Sequence, residues 1–188
     1  MENVRVLFLD IDGVLNKNRY GEDIYTDGDK NDAGLIEPRV PIYRDCYAAL
    51  ETIAANVLDL GVVWSTDWRR HCEEEWNGWK TPLKWLERNC PFLSGKIIGR
   101  TPEKFSIDRH GEIREWFAEN SRLNAAGGGY RVLGYAVLDD YVTRGMYGFG
   151  RHFFRTWFDS GLTLSLAENV INCLNGGGFD ESDLSVAI

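Results

Sequence analysis

The 188-residue chain holds no apolar stretch near the roughly 18–20 residues needed to cross a bilayer, so a membrane-spanning helix is excluded. It has no C-x-x-C pair. Cys46, Cys72, Cys90 and Cys173 stand far apart, which argues against a zinc site or a disulfide framework and suits a reducing cytoplasm. Each thiol reads as a small buried hydrophobe. Positive charge is also in short supply: 21 Lys+Arg face 29 Asp+Glu, for a net charge of -8 and a pI near 4.9. That sum excludes a protein that coats nucleic acid by general basicity, while leaving room for a local basic patch. Met1-Glu2-Asn3-Val4-Arg5 lacks the basic, apolar, small order of a signal peptide. Internal repeats and low-complexity linkers are absent too, so residues 1–188 are expected to form one domain.

Core material is ample, with 44% hydrophobic residues and 13% aromatics, 7 of them Trp. Val4 to Leu9 is short, β-branched and almost wholly apolar, as suits a central strand covered on both faces. After Pro41, the positions Tyr43, Tyr47, Leu50, Ala54 and Val57 form a helical stripe. Leu60 to Trp64 reads as a second buried strand. A broken helical pattern runs over about 70–89, with Thr81-Pro82 restarting it as cap and first helical residue. Lys96 to Gly99 suggests a short strand, and Asp108 a cap for a helix carrying Ile113, Trp116 and Phe117, ending before Gly127-Gly128-Gly129. Tyr135 to Leu138 is the next strand and His152 to Phe158 an edge strand. Ser165 with Glu168 predicts a capping box for a last helix that stops at Gly176. Strands alternating with helical crossovers predict an α/β fold, a mainly parallel sheet with helices on both faces.

In such a sheet, ligands bind beyond the carboxyl ends of the strands. The first confident strand ends in Asp10-Ile11-Asp12-Gly13, the second in Ser65-Thr66 and the fourth in Asp139-Asp140. Taken singly, each cluster is an ordinary turn, helix cap or solvated loop. Together they put several carboxylates in one crevice, where mutual repulsion calls for a cation. Hard oxygen donors in that number favour Mg²⁺ over zinc.

Phe8-Leu9-Asp10-Ile11-Asp12-Gly13-Val14-Leu15, Val62-Val63-Trp64-Ser65 and Ala136-Val137-Leu138-Asp139-Asp140 resemble the first, second and fourth motifs of the haloacid dehalogenase (HAD) superfamily of aspartate-nucleophile phosphohydrolases. Within it, the chain is similar to the HAD domains associated with Swiss Army Knife RNA repair proteins. Asp10 to Asn16, Ser65-Thr66-Asp67-Trp68-Arg69, Glu112 to Phe117, Leu138-Asp139-Asp140 and Ser160-Gly161-Leu162-Thr163 carry that likeness, over roughly residues 4–175. The resemblance implies a HAD-type, Rossmann-like sheet and a Mg²⁺-dependent phosphatase. Asp10 would be the nucleophile and a metal ligand, and Asp12 the general acid and base, with its backbone carbonyl on the metal. Ser65 would hold the phosphoryl oxygens, with Thr66 as its substitute. Asp140 would bind the metal, with Asp139 beside it or behind it. The third motif is a single basic residue, for which Lys104, Arg109 and the more distant Lys96 are candidates. The likeness favours Arg109, whose guanidinium can grip a phosphoryl group in two places where lysine offers a point charge.

Trp68 and Arg69 follow the second motif, and they suit stacking on a base and binding a phosphate. A core Trp with Arg69 in an internal ion pair is the plainer reading. His71, His110 and His152 show no ligand spacing and read as surface or capping residues. Residues 16–43 are too few and too polar for a cap domain, so a flap or small hairpin and an open site are expected. Within them Asp27-Gly28-Asp29-Lys30-Asn31-Asp32 starts like a calcium loop but has Asp32 where that loop needs glycine. Gly145 to Gly150 opens no helix and reads as a flexible loop rather than a phosphate loop. The expected substrate is a nucleic-acid terminus or a nucleotide phosphate. A small-metabolite phosphatase is the near alternative, and a non-catalytic protein binding a phosphorylated ligand the more distant one.

Overall fold

The computed structural model describes residues 2–16, 29–30, 36–37, 42–67, 82–103, 108–121 and 129–177. Its centre is strand β1 (Asn3–Leu9), hydrogen-bonded in parallel register to β4 (Leu60–Trp64) on one side and β6 (Arg131–Asp139) on the other. Strand β5 (Ile97–Arg100) extends the sheet beyond β4, and β7 (Phe153–Arg155) extends it beyond β6. The order is β5-β4-β1-β6-β7, with every pairing parallel. Phe8, Leu9 and their neighbours are fully buried because both faces of β1 are covered. Two short strands, β2 (Asp29–Lys30) and β3 (Ile36–Glu37), pair antiparallel within the segment expected to form a flap.

Alternation along the strands sorts the core into two layers. Leu7, Leu9, Val62, Trp64, Ala136 and Leu138 pack with α1 (Arg44–Asn56) and α4 (Leu164–Asn175), together with Leu86 of α2 (Pro82–Asn89). Val6, Phe8, Val63, Tyr135 and Val137 pack with α3 (Arg109–Asn120). There Trp116 meets Phe8 edge-on, with ring centroids 5.3 Å apart. The Asp108 side chain accepts a hydrogen bond from Gly111 N at 3.0 Å and caps α3 as the sequence predicts.

Four expectations need correction. The last helix is capped by Thr163, whose Oγ1 accepts from Leu166 N at 3.2 Å, two residues before Ser165. The strand expected over His152–Phe158 is only Phe153–Arg155, because Trp157–Gly161 closes a turn through Ser160 N and Gly161 N to the Trp157 carbonyl. Residues Met146–His152 form a 3-10 stretch with Met146 and Phe149 buried. A Cβ on Gly145 would meet the His110 ring, so that loop is packed rather than free. His152 is a core histidine, stacked on Tyr135 at 4.1 Å with its Nδ1 2.9 Å from the Tyr135 carbonyl. The thiols of Cys46 and Cys90 are buried, as expected, and burial pushes Cys90 up to about 12.

Candidate active site

The carboxyl ends of the three central strands are tied together by the backbone. Asp10 N donates to the Leu138 carbonyl at 3.0 Å, and Ser65 N donates to the Leu9 carbonyl at 2.9 Å. Three segments distant in sequence therefore deliver Asp10, Ser65-Thr66 and Asp139-Asp140 to one edge. Beyond Asp10 the chain winds into a turn, with Val14, Leu15 and Asn16 all donating to the Ile11 carbonyl. Gly13 makes this possible. Its φ of +69 lies in the left-handed region, and a Cβ there would strike the Asp140 carboxylate.

Arg109, the first residue of α3, connects the site. Its Nη1 is 3.5 Å from Asp10 Oδ1 and 3.4 Å from Asp139 Oδ2, and it donates to the Ser65 carbonyl. Its Nη2 is 3.6 Å from Asp67 Oδ1, and its Nε is 3.9 Å from Glu112 Oε2. Burial opposes the charge on Arg109, but Asp10, Asp139, Asp67 and Glu112 outweigh it and raise its pKa above the ordinary value. Arg109 is thus a buried counter-charge around which four carboxylates gather, at the first turn of α3.

The acids are unequal. Burial raises Asp10 to about 6, although Arg109, the Thr66 hydroxyl and the Ile11 N–H all favour its charged form. Asp139 rises further, to about 8, because burial is joined by the repulsion of Asp10. Its Oδ1 accepts from Tyr141 N at 2.9 Å. Its Oδ2 is buried with no hydrogen-bond partner among the described residues. Asp140 is raised by burial and by Asp12. One oxygen each from Asp10, Asp139 and Asp140 lies within 4.8 Å of the others. Three hard donors beside a buried Asp139 Oδ2 that no described residue hydrogen-bonds fit a hard divalent cation.

The Asp12 carboxyl stands apart from this trio. Asn16 Nδ2 donates to Asp12 Oδ1 at 2.7 Å, while Asn16 Oδ1 accepts from Gly13 N at 2.9 Å. Asn16 is buried and orients the carboxylate, a role the sequence reading did not assign. Its signal is an amide four residues beyond Asp12, at the end of a tight turn. Asp67 and Glu112 were likewise given no part in the site; a Glu at i+3 from Arg109 on a capped helix is the readable clue. Among the described residues Ser65 Oγ is buried without a hydrogen-bond partner, whereas the Thr66 hydroxyl is engaged with Asp10. Trp68, Arg69 and Lys104 lie outside the described residues, as do His71, Cys72 and most of 16–43.

The family model for the HAD domain in Swiss Army Knife RNA repair proteins matches residues 6–167. The chain belongs to this HAD family. The matched span runs from β1 through the start of α4 and contains every residue of the site just described. No curated protein and no solved structure matches this HAD domain.

Proposed function

We propose that this HAD domain is a Mg²⁺-dependent phosphatase that cleaves a phosphate monoester on a nucleic-acid end or a nucleotide, with Asp10 as nucleophile. The observation that carries the reading is the pairing of the buried Asp10 carboxylate with Arg109 beside two further carboxylates. A buried carboxyl near pKa 6 is largely ionised at neutral pH, as a nucleophile must be. Asp10, Asp139 and Asp140 would hold the metal, which when bound offsets their negative charge against that of the phosphoryl group.

An Asp10 oxygen attacks phosphorus, and the ester P–O bond breaks to leave a phosphorylated Asp10. Asp12, oriented by Asn16, gives its proton to the departing oxygen. It then takes a proton from the water that attacks the same phosphorus, releasing inorganic phosphate and restoring Asp10. Ser65 Oγ donates to a phosphoryl oxygen, which gives this buried hydroxyl a partner that no described residue supplies. Arg109 holds Asp10 in line and balances the charge that grows on the transferred group.

The nucleic-acid side of the reading rests on the name of the matching family. The net charge of -8 favours a short end or a nucleotide over a long polynucleotide, whose affinity depends on many backbone contacts. Phosphate release from an aryl phosphate, with and without Mg²⁺, tests the chemistry. The same assay on nucleotides and on oligonucleotides phosphorylated at either end tests the substrate. Metal-dependent turnover that disappears in Asp10→Asn is expected. Tight binding of phosphorylated ligands with no turnover of any would instead favour a binding protein.

A further inference from the structure

Strand β7 ends beside the metal-binding edge. Arg155 is the register partner of Asp139, and Thr156 N donates to the Asp139 carbonyl at 3.1 Å. The chain then turns over Trp157–Gly161, where Gly161 has a φ of +60. Leu162 N donates to the Val14 carbonyl at 2.8 Å, which fastens the turn to the loop that carries Asp12. The turn is therefore held between the two acidic segments of the site.

Trp157 is 63% exposed, an unusual state for the largest apolar side chain. The Arg155 guanidinium lies 4.1 Å from the centroid of its ring and holds it in place. Phe158, 38% exposed, follows it. The Arg155 charge also acts on the Asp140 carboxyl, partly countering the rise caused by burial and Asp12. A fixed aromatic face next to a cation, on the strand that pairs with the Asp139 strand and two strands from Asp10, matches a planar ring joined to a phosphate. An aliphatic phosphate has no ring to lay on this face, and a membrane surface would need a wider apolar and basic patch than this pair supplies.

We propose that Arg155 and Trp157 form the base-binding subsite of this HAD domain: a nucleobase stacks on the Trp157–Arg155 pair while its phosphate reaches Asp10. The assignment rests on the phosphatase reading and names the part of the substrate that the reading leaves open. A base on a mononucleotide and a base at an oligonucleotide end present the same ring, so both are tested. Stacking on an exposed aromatic is sequence-tolerant, and this subsite accepts any base.

The test compares kcat/KM for a nucleoside monophosphate, a phosphorylated oligonucleotide and ribose phosphate, which has no base. In Trp157→Ala the ratio of nucleotide to ribose phosphate efficiency falls about tenfold or more, and Trp157→Phe recovers much of it. Arg155→Ala lowers the same ratio. A larger fall on the oligonucleotide marks a nucleic-acid end as the source of the base, and an equal fall marks the free nucleotide. Wild-type ratios in Trp157→Ala, in protein whose thermal melt shows it folded, overturn the proposal. If the wild type turns over none of the three, the phosphatase reading has failed, and calorimetric binding of the nucleotide decides the subsite separately. Binding weakened about tenfold in Trp157→Ala upholds it, and equal binding overturns it.

Discussion

Arg109 stands at the N-terminus of α3, where the helix dipole disfavours a cation, and it is kept there by Asp10, Asp67, Glu112 and Asp139. Removing it would leave buried carboxylates without a counter-charge. Arg109→Ala is expected to lower kcat by about 10²–10³-fold, and Arg109→Lys to restore only part of the loss, because an ammonium cannot reach all four acids. Steady-state kinetics with saturating Mg²⁺ checks both. Asn16→Ala removes one hydrogen bond that orients the Asp12 carboxyl and should cost about tenfold or more in kcat with little change in KM, since general acid–base catalysis contributes about 10²–10⁴-fold. The Asp139 carboxyl supplies a pH prediction. Its pKa is 3.8 ordinarily and about 8 when folded, so the metal-free protein has this stability in full below pH 3.8. It is lost as pH rises through about 8, because the unfolded chain gives up its proton first. Thermal melts without metal should show wild type losing stability relative to Asp139→Asn across that window, and Mg²⁺ should stabilise wild type most at the alkaline end.

At the scale of elements, the cap of α3 sets where Arg109 sits. Asp108→Ala removes one side-chain hydrogen bond to Gly111 N and should cost about 1 kcal/mol in denaturant unfolding. Activity should fall along with stability, because the first turn carries the site's cation. Gly13→Ala is expected to cost about 1–3 kcal/mol through its left-handed φ, and to impair metal binding by displacing Asp140. Elements with a local physical signature could be read from sequence. Leu60–Trp64 is wholly apolar and forms the strand expected, and Asp108 caps the helix expected. Thr163 and Ser165 are both plausible caps by residue type, and the helix starts at the earlier one, with Thr163 Oγ1 accepting from Leu166 N. The strand over Phe153–Arg155 stops early because the Trp157–Gly161 turn is fastened to Val14, a contact between segments far apart in sequence.

Across the whole molecule, a parallel sheet brings distant segments to one edge, and that is why the acids could be grouped before their geometry was known. Alternation of strand and helix implies the edge, and the edge implies the meeting of Asp10, Ser65 and Asp139-Asp140. The contacts among them were not legible. Arg109 is one of several basic residues in its region of the sequence, and its bridging of Asp10 and Asp139 exists only once α3 has packed on Phe8 through Trp116 and Phe117. The orienting role of Asn16 depends on a turn whose donors all converge on the Ile11 carbonyl. The most direct test of Asp10 as nucleophile is mass spectrometry of the acid-quenched protein after brief reaction with an aryl phosphate and Mg²⁺. A single added phosphoryl group on the peptide containing Asp10 is predicted, accumulating further in Asp12→Asn if the substrate has a good leaving group. Sustained phosphate release with no phosphorylated protein at any time, or with Asp10→Asn as active as wild type, would contradict it.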